Sequence, residues 1–407
     1  MTELKNGLKV VSEYIPHFRS ISLGFWIRAG SRNETSLNSG ITHLIEHLLF
    51  KGTLKRTYKD IAIAFDSMGA EFNAFTDKEN CCLYSDFIDL HLDKCLGLLF
   101  DVTCSPSFLP ENISLEKKVI YEEIKMLKDN PTETIFNSFF ELVFDGHPLS
   151  MPILGKKKAL SGLKRNHIID YYKSSFTPPN IVIAAAGNVK HKELVEKVKK
   201  NVDKYDFSGR KNIVSNIPAI PKKARNRNIK SKNLAFHIVY GGIGCNRSSK
   251  DRYPLSLFTN ILGGSMSSRL FQKIREDLGL SYSIFAANSQ YTDAGIIGIH
   301  AASSYKNHKK IFELIKKELE DVKKNGVKPS ELDISKENMK GNIVLSVEDI
   351  SSRMVRLGKS VMMDGNIVTI NDILRKIDDV RTGDIDDIVY KYYQTDKMSL
   401  VTLGAKG

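Results

Sequence analysis

The run Ser39-Gly40-Ile41-Thr42-His43-Leu44-Ile45-Glu46-His47-Leu48-Leu49-Phe50-Lys51-Gly52-Thr53 decides how the rest of the chain is read. Read as a helix, it packs Leu44, Ile45, Leu48 and Leu49. It also sets His43 and His47, at i and i+4, one turn apart on the same face, with about 5 to 6 Å between their Cβ atoms. That spacing lets two imidazoles bind one metal ion. Glu46 follows His43 by three positions, so its carboxylate lies beside the metal, where it can take a proton from a water that the metal holds. Zinc suits such a site: it accepts imidazole and carboxylate ligands, leaves a position open, and lowers the pKa of a bound water to about 7. A helix with two core histidines would account for the leucines, but it gives no reason for a carboxylate beside two imidazoles on an otherwise apolar helix.

Zinc held by two histidines wants a third protein donor. Residues 111–129 read as a strongly charged helix carrying Glu116, Glu122 and Glu123. Periodicity does not choose between Glu122 and Glu123, because apolar residues flank each. Glu116 and Glu123 lie seven apart, two turns along one face, so one can ligate while the other supports it.

Outward from these helices, residues 8–14 and 20–29 read as strands, and Tyr58 to Met68 as a helix closed by Gly69. Glu71 to Thr76 and Asn80 to Phe87 form a hairpin, and Leu90 to Thr103 returns to helix. A helix from Pro131 to about Phe144, a buried strand at Ile181 to Ala186 and a basic helix over Lys190 to Val202 complete the first half. His147 and His167 stand alone and are read as structural. The second half repeats this order: a strand from Leu234 to Gly241, helices at Tyr253 to Leu262 and Leu270 to Leu278, strands at Ser281 to Asn288 and Gly295 to Ala302, and a helix from His308 to Lys323. Ile21 aligns with Leu234 and Gly69 with Gly279, offsets of 213 and 210, which indicates an internal duplication. The second copy lacks the paired histidines. The expected division is 1–208 as a zinc-binding catalytic domain, 209–230 as a basic linker and 231–407 as its homologous partner.

Composition excludes several classes of function. With 42% hydrophobic and 26% charged residues, the chain reads as globular, and no apolar run approaches the length of a membrane span. The segment Met1-Thr2-Glu3-Leu4-Lys5-Asn6-Gly7 lacks the basic start and apolar core of a signal peptide. Five cysteines without C-x-x-C spacing fit a reducing cytoplasm better than a disulfide framework. A net charge of +13 invites a nucleic-acid reading, but the lysines are dispersed without interleaved aromatic residues, so no nucleic-acid partner is expected.

Four motifs in order give the chain its resemblance: His43-x-x-Glu46-His47 with Phe50-Lys51-Gly52-Thr53; Asn73-Ala74-Phe75-Thr76; Glu116 to Met126; and Gly263-Gly264-Ser265-Met266-Ser267-Ser268-Arg269-Leu270-Phe271 through Arg275 to Gly279-Leu280-Ser281-Tyr282-Ser283. Over nearly its whole length the chain resembles the M16 family of inverted zinc metallopeptidases, which includes pitrilysin and the mitochondrial processing peptidase, most closely the bacterial processing-protease-like members. The resemblance implies an α+β fold of two homologous domains, each a mainly antiparallel sheet with helices packed on it. It implies His43, His47 and Glu123 as ligands of one zinc ion per chain, Glu46 as general base and Glu116 as support. Asn73, Ala74 and Phe75 match an edge strand that pairs with the substrate backbone, and Arg275 and Tyr282 match a pair that contacts substrate near the scissile bond. Larger members carry four such domains in one chain around a chamber. The resemblance therefore implies a homodimer in which Arg275 and Tyr282 of one protomer complete the site of the other. The activity implied is endopeptidase cleavage of unfolded peptides or presequence-like segments; the alternative is a non-catalytic scaffold subunit of a processing peptidase complex.

Overall fold

The structure, a computed structural model, describes residues 1–205, 219–220, 223–231 and 235–404. Two compact units share the chain, and each has its own sheet.

In the first unit, strands β1 (Thr2–Glu3), β2 (Lys9–Tyr14), β3 (Ser20–Ile27), β4 (Glu71–Thr76), β5 (Cys81–Ile88) and β6 (Ile181–Gly187) form a sheet in the order β1-β2-β6-β3-β5-β4. β3 is buried almost throughout because both of its faces are covered. Ile21, Leu23, Phe25 and Ile27 point into the main core with Leu44, Ile45, Leu48 and Leu49 of the Ile41–Leu49 helix, while Trp26 points the other way into a second cluster. This is the period-2 alternation of a strand.

In the second unit, β7 (Asn226–Ile229), β8 (Ala235–Gly244), β9 (Ser283–Gln290), β10 (Gly295–Ser304) and β11 (Ser399–Leu403) run in the order β7-β11-β8-β10-β9. Apart from β1, which pairs antiparallel with β2 and has no counterpart, the two sheets match strand for strand. Each has one parallel pair, β2 with β6 and β7 with β11, followed by antiparallel neighbours out to an edge strand, β4 or β9. Gly69 and Gly279 occupy equivalent turns with left-handed φ of +59° and +57°, a conformation that suits residues lacking Cβ. The fold is thus α+β and duplicated, as read from the sequence.

The units do not follow the chain-order division at 1–208, 209–230 and 231–407. The first comprises Met1–Lys125, Met151–Ile217 and Ser346–Val368; the second comprises Met126–Ser150, Pro218–Leu345 and Thr369–Gly407. The physical reason lies in two amphipathic helices. Helix Ile350–Asp364 covers the first sheet, where Met354, Leu357 and Val361 pack with Trp26, Val182 and Ala184. Its backbone comes so close at Gly358 that a Cβ there would lie 2.2 Å from the Trp26 indole nitrogen. Arg353 and Arg356 bind Glu13 at 2.6 and 3.0 Å at its rim. Helix Pro131–Val143 covers the second sheet in the corresponding way, with Ile135 and Phe139 against Val239, Ile296 and Val401.

Most of the stretch read as a linker, 209–230, lies outside the described residues, and its described end forms β7. Leu234 also lies outside them, and β8 starts at Ala235. Among the described residues, no helix is long and apolar enough to cross a membrane, and Cys81, Cys82, Cys95, Cys104 and Cys245 carry free thiols.

Candidate metal centre

The histidine helix, Ile41–Leu49, begins at Gly40, whose φ of +91° and lack of a side chain leave the first backbone donors without an ordinary cap. Glu34 supplies one instead, accepting from the amides of Gly40 at 2.6 Å and Thr42 at 2.9 Å. Burial pushes this carboxyl up to about 7 against the opposing pull of the two amide bonds. A Cβ at Gly40 would lie 2.8 Å from the carbonyl oxygen of Leu154, so the glycine also permits close packing of the neighbouring loop. Thr42 pairs with the Tyr171 hydroxyl at 2.8 Å, which fixes the helix from the side.

On this helix the rings of His43 and His47 stand 4.5 Å apart between centroids. Glu123, on helix Pro110–Asp129, faces both: its Oε1 lies 3.5 Å from His47 Nε2 and its Oε2 3.9 Å from His43 Nε2. One ligand atom from each of the three residues falls within 4.8 Å of the others, the one such group among the described residues. Glu122, which periodicity left level with Glu123, is exposed and pairs with Lys125 at 2.6 Å. Glu116, two turns before Glu123, is buried and sets its Oε2 2.9 Å from His47 Nδ1. A carboxylate can only accept, so Nδ1 donates in this contact, and Nε2 is the His47 ring nitrogen that faces Glu123.

His43 Nδ1 is buried with no hydrogen-bond partner. Burial, reinforced by His47, pushes this imidazole down to about 3, so the ring is neutral at physiological pH with a lone pair to offer. Two imidazoles and a carboxylate on converging atoms form a donor set that suits zinc and leaves a coordination position open.

Glu46 is nearly buried and lies next to His47. Burial pushes its carboxyl up from the ordinary range, partly opposed by a hydrogen bond from the Thr76 hydroxyl and by His47. A carboxylate of raised basicity beside an open metal position can accept a proton from water.

Thr76 ends β4, the edge of the first sheet, which pairs with β5 on one side. Phe72 of β4 stacks on Phe50 and Phe65, with ring centroids 4.5 and 4.2 Å away, so Phe72, Ala74 and Thr76 turn toward the histidine helix. Asn73 is exposed and its side chain accepts from the Ala74 amide at 2.8 Å. Phe75 turns the other way, its ring 5.4 Å from Trp26, so its side chain is engaged in packing.

Arg275 and Tyr282 belong to the second unit. The segment read as a helix from Leu270 to Leu278 is a π-helical turn over Phe271–Glu276, and its Arg275 guanidinium lies 4.6 Å from the Phe271 ring centroid. Tyr282 is 61% exposed just before β9, which starts two residues later than the sequence reading gave. Arg269, in the same motif, has an architectural role: it bonds both carboxylate oxygens of Glu331 at 2.6 and 2.7 Å and reaches Glu318 and the Gly326 carbonyl.

Sequence reasoning passed over two residues that touch the centre. Lys51 places its ammonium 2.9 Å from Glu116 Oε1, and Thr76 touches Glu46. Both stand in motifs quoted above, Lys51 one turn beyond His47. That spacing is the signal that could have found it.

Residues 9–157 match the family model described as insulinase (peptidase family M16), and residues 162–339 match the model described as peptidase M16 inactive domain. The chain is 33% identical to the uncharacterized zinc protease YmxG of Bacillus subtilis over 392 residues, 96% of this chain and 95% of that protein. It is also 33% identical to the uncharacterized zinc protease Rv2782c of Mycobacterium tuberculosis over 414 residues, 100% and 93% of the two chains. Among solved structures, a protease from Helicobacter pylori superposes with a TM-score of 0.92 at 23% identity, covering 99% of this chain and 98% of that one. The crystal structure described as peptidase M16 inactive domain from Pseudomonas fluorescens gives 0.91 at 19% identity over 100% and 98%. These two likenesses speak for the fold.

Proposed function

Because this chain belongs to peptidase family M16, with relatives named as zinc proteases, we propose that it is a zinc-dependent endopeptidase acting on unfolded peptides or presequence-like segments. One observation carries the reading: His43, His47 and Glu123 converge within 4.8 Å, with the buried carboxylate of Glu46 alongside. In this proposal those three residues hold one zinc ion per chain. When bound, zinc supplies Lewis acidity, lowering the pKa of a coordinated water to about 7 and polarising the scissile carbonyl. Glu46 accepts the proton as the water oxygen bonds to the carbonyl carbon, and delivers it to the nitrogen as the C–N bond breaks. Glu116 orients His47. The edge of β4 at Asn73, Ala74 and Phe75 pairs with the substrate main chain, so selection rests on an extended backbone more than on side chains.

We further assign Arg275 and Tyr282 to substrate contact near the scissile bond, contributed by the partner protomer of a homodimer. Their support is the match to the family motif and, for Tyr282, its exposure. The free thiols favour a reducing compartment such as the cytoplasm.

The scaffold reading draws on one finding, the description "inactive domain" for the model that matches residues 162–339. His43, Glu46, His47, Glu116 and Glu123 all lie outside that match. The deciding experiment is cleavage of a quenched fluorogenic peptide by zinc-loaded protein. Hydrolysis that a chelator abolishes, zinc restores and Glu46→Gln lowers by about 10²- to 10⁴-fold is the expected result. A zinc-replete protein that cleaves nothing across a varied peptide set would leave the scaffold reading.

A further inference from the structure

We propose that Thr76 is a positioning residue for the general base, so that docking of a substrate strand on β4 and alignment of Glu46 are one event. The inference rests on the peptidase reading above and adds a residue and a coupling to it.

The other buried residues of the Glu46 helix are Ile41, Leu44, Ile45, Leu48, Leu49 and Thr42, whose hydroxyl is engaged by Tyr171. Such surroundings give a carboxylate few partners to choose its rotamer. The Thr76 hydroxyl supplies one, donating to Glu46 Oε2. Thr76 does not belong to the histidine helix or to the helix carrying Glu123; it is the last residue of β4, paired with Cys81 of β5. Its backbone is therefore held by the sheet, and its side chain is a rigid, β-branched lever reaching from the sheet edge to the base.

The same strand offers its other edge. β4 is the outermost strand, and the Asn73 side chain occupies the Ala74 amide locally. A peptide adding to this edge would lie in the plane of the sheet, two residues from Thr76 at its Ala74 contact. Any shift of β4 on pairing moves the Thr76 hydroxyl and with it the carboxylate. A peptide bound out of register would then leave the base misaligned. Cleavage would follow main-chain register, which gives a side-chain-tolerant site a means of fixing where it cuts.

The test compares Thr76→Val, which keeps the β-branched shape but removes the donor, with Thr76→Ser, which keeps the donor. In zinc-loaded protein with a fluorogenic peptide, Thr76→Val should lower kcat about 10- to 100-fold with KM changed less than about 3-fold, and Thr76→Ser should retain kcat within about 3-fold. Zinc content and melting temperature should match wild type in both. Crystal structures should show the Glu46 carboxylate on the residue-76 hydroxyl in wild type and Thr76→Ser, and displaced in Thr76→Val. Unchanged kcat in Thr76→Val, equal losses in both variants, or a rise in KM alone would each overturn the positioning role. If wild-type protein cleaves nothing, the peptidase reading fails; an active wild type with an equally active Thr76→Val sinks only this inference.

Discussion

Glu116 Oε2 lies 2.9 Å from His47 Nδ1, and the same buried carboxylate meets Lys51 through its other oxygen, also at 2.9 Å. The pairing gives His47 a fixed ring orientation and gives a carboxylate that is 2% exposed a compensating cation. Glu116→Gln is expected to weaken zinc binding about 10- to 100-fold while leaving the ligands in place. Lys51→Met, which leaves Glu116 buried beside an apolar stem, is expected to weaken it less. Competition against a chromophoric chelator measures both, and wild-type affinity in Glu116→Gln would remove Glu116 from the site.

Adjacent glutamates offer a sharper contrast. Glu123 faces both histidines, whereas Glu122 turns outward to Lys125. Purified Glu123→Gln is expected to carry well under one zinc per chain and to lose activity, and Glu122→Gln to retain both. Elemental analysis of the two proteins, prepared in parallel, decides the matter; equal zinc contents would return the choice to where periodicity left it.

The cap at the start of the histidine helix predicts a pH dependence of stability. Glu34 sits at about 7 in the fold against an ordinary 4.5, so between those values the folded protein keeps a proton that the unfolded chain has released. Its contribution therefore declines as pH rises from 4.5 to 7. Glu34→Gln removes the titration and forfeits one of the two amide bonds equally at every pH. The difference in melting temperature, variant minus wild type, should increase by several degrees between pH 5 and pH 8. A constant difference would mean that Glu34 is ionised in the fold throughout.

Assignment of Arg275 and Tyr282 to a partner's site predicts complementation. Glu46→Gln and Tyr282→Phe homodimers should each be nearly inactive, and a mixture allowed to exchange subunits should regain up to about a quarter of wild-type activity. That estimate follows from half the dimers being mixed with one intact site of two. Exchange is followed independently by mass differences between tagged subunits. Mixed dimers that form without regaining activity would place the completed site within one chain.

Much of this was legible in the residues. The i, i+4 histidines with an intervening carboxylate imply a helix and a metal together, and the seven-residue spacing of Glu116 and Glu123 marks one helix face. The strand order behind Gly69 and Gly279 shows in near-constant offsets. What stayed hidden depends on tertiary position. Whether Glu122 or Glu123 points inward turns on how one helix is rotated against another, and two residues 100° apart can each be flanked by apolar neighbours. The stripes on Pro131–Val143 and Ile350–Asp364 say that each helix must bury a face, but not on which sheet. Lys51 shows its face by standing one turn beyond His47, but its partner Glu116 lies 65 residues on, and Thr76 acts on Glu46 across 30 residues, separations at which periodicity carries no information.

The crossed helices also set an order of events for synthesis. A nascent chain that has emerged only as far as residue 205 holds β1 to β6 and the whole histidine helix, yet the face of its sheet bearing Trp26, Val182 and Ala184 stays wet until Ile350–Asp364 leaves the ribosome. The N-terminal half thus cannot mature ahead of the C-terminal half, as halves joined in tandem would. Until the last sixth of the polypeptide is made, that bare face is a surface for chaperones to hold, and a fragment cut between the halves inherits it permanently.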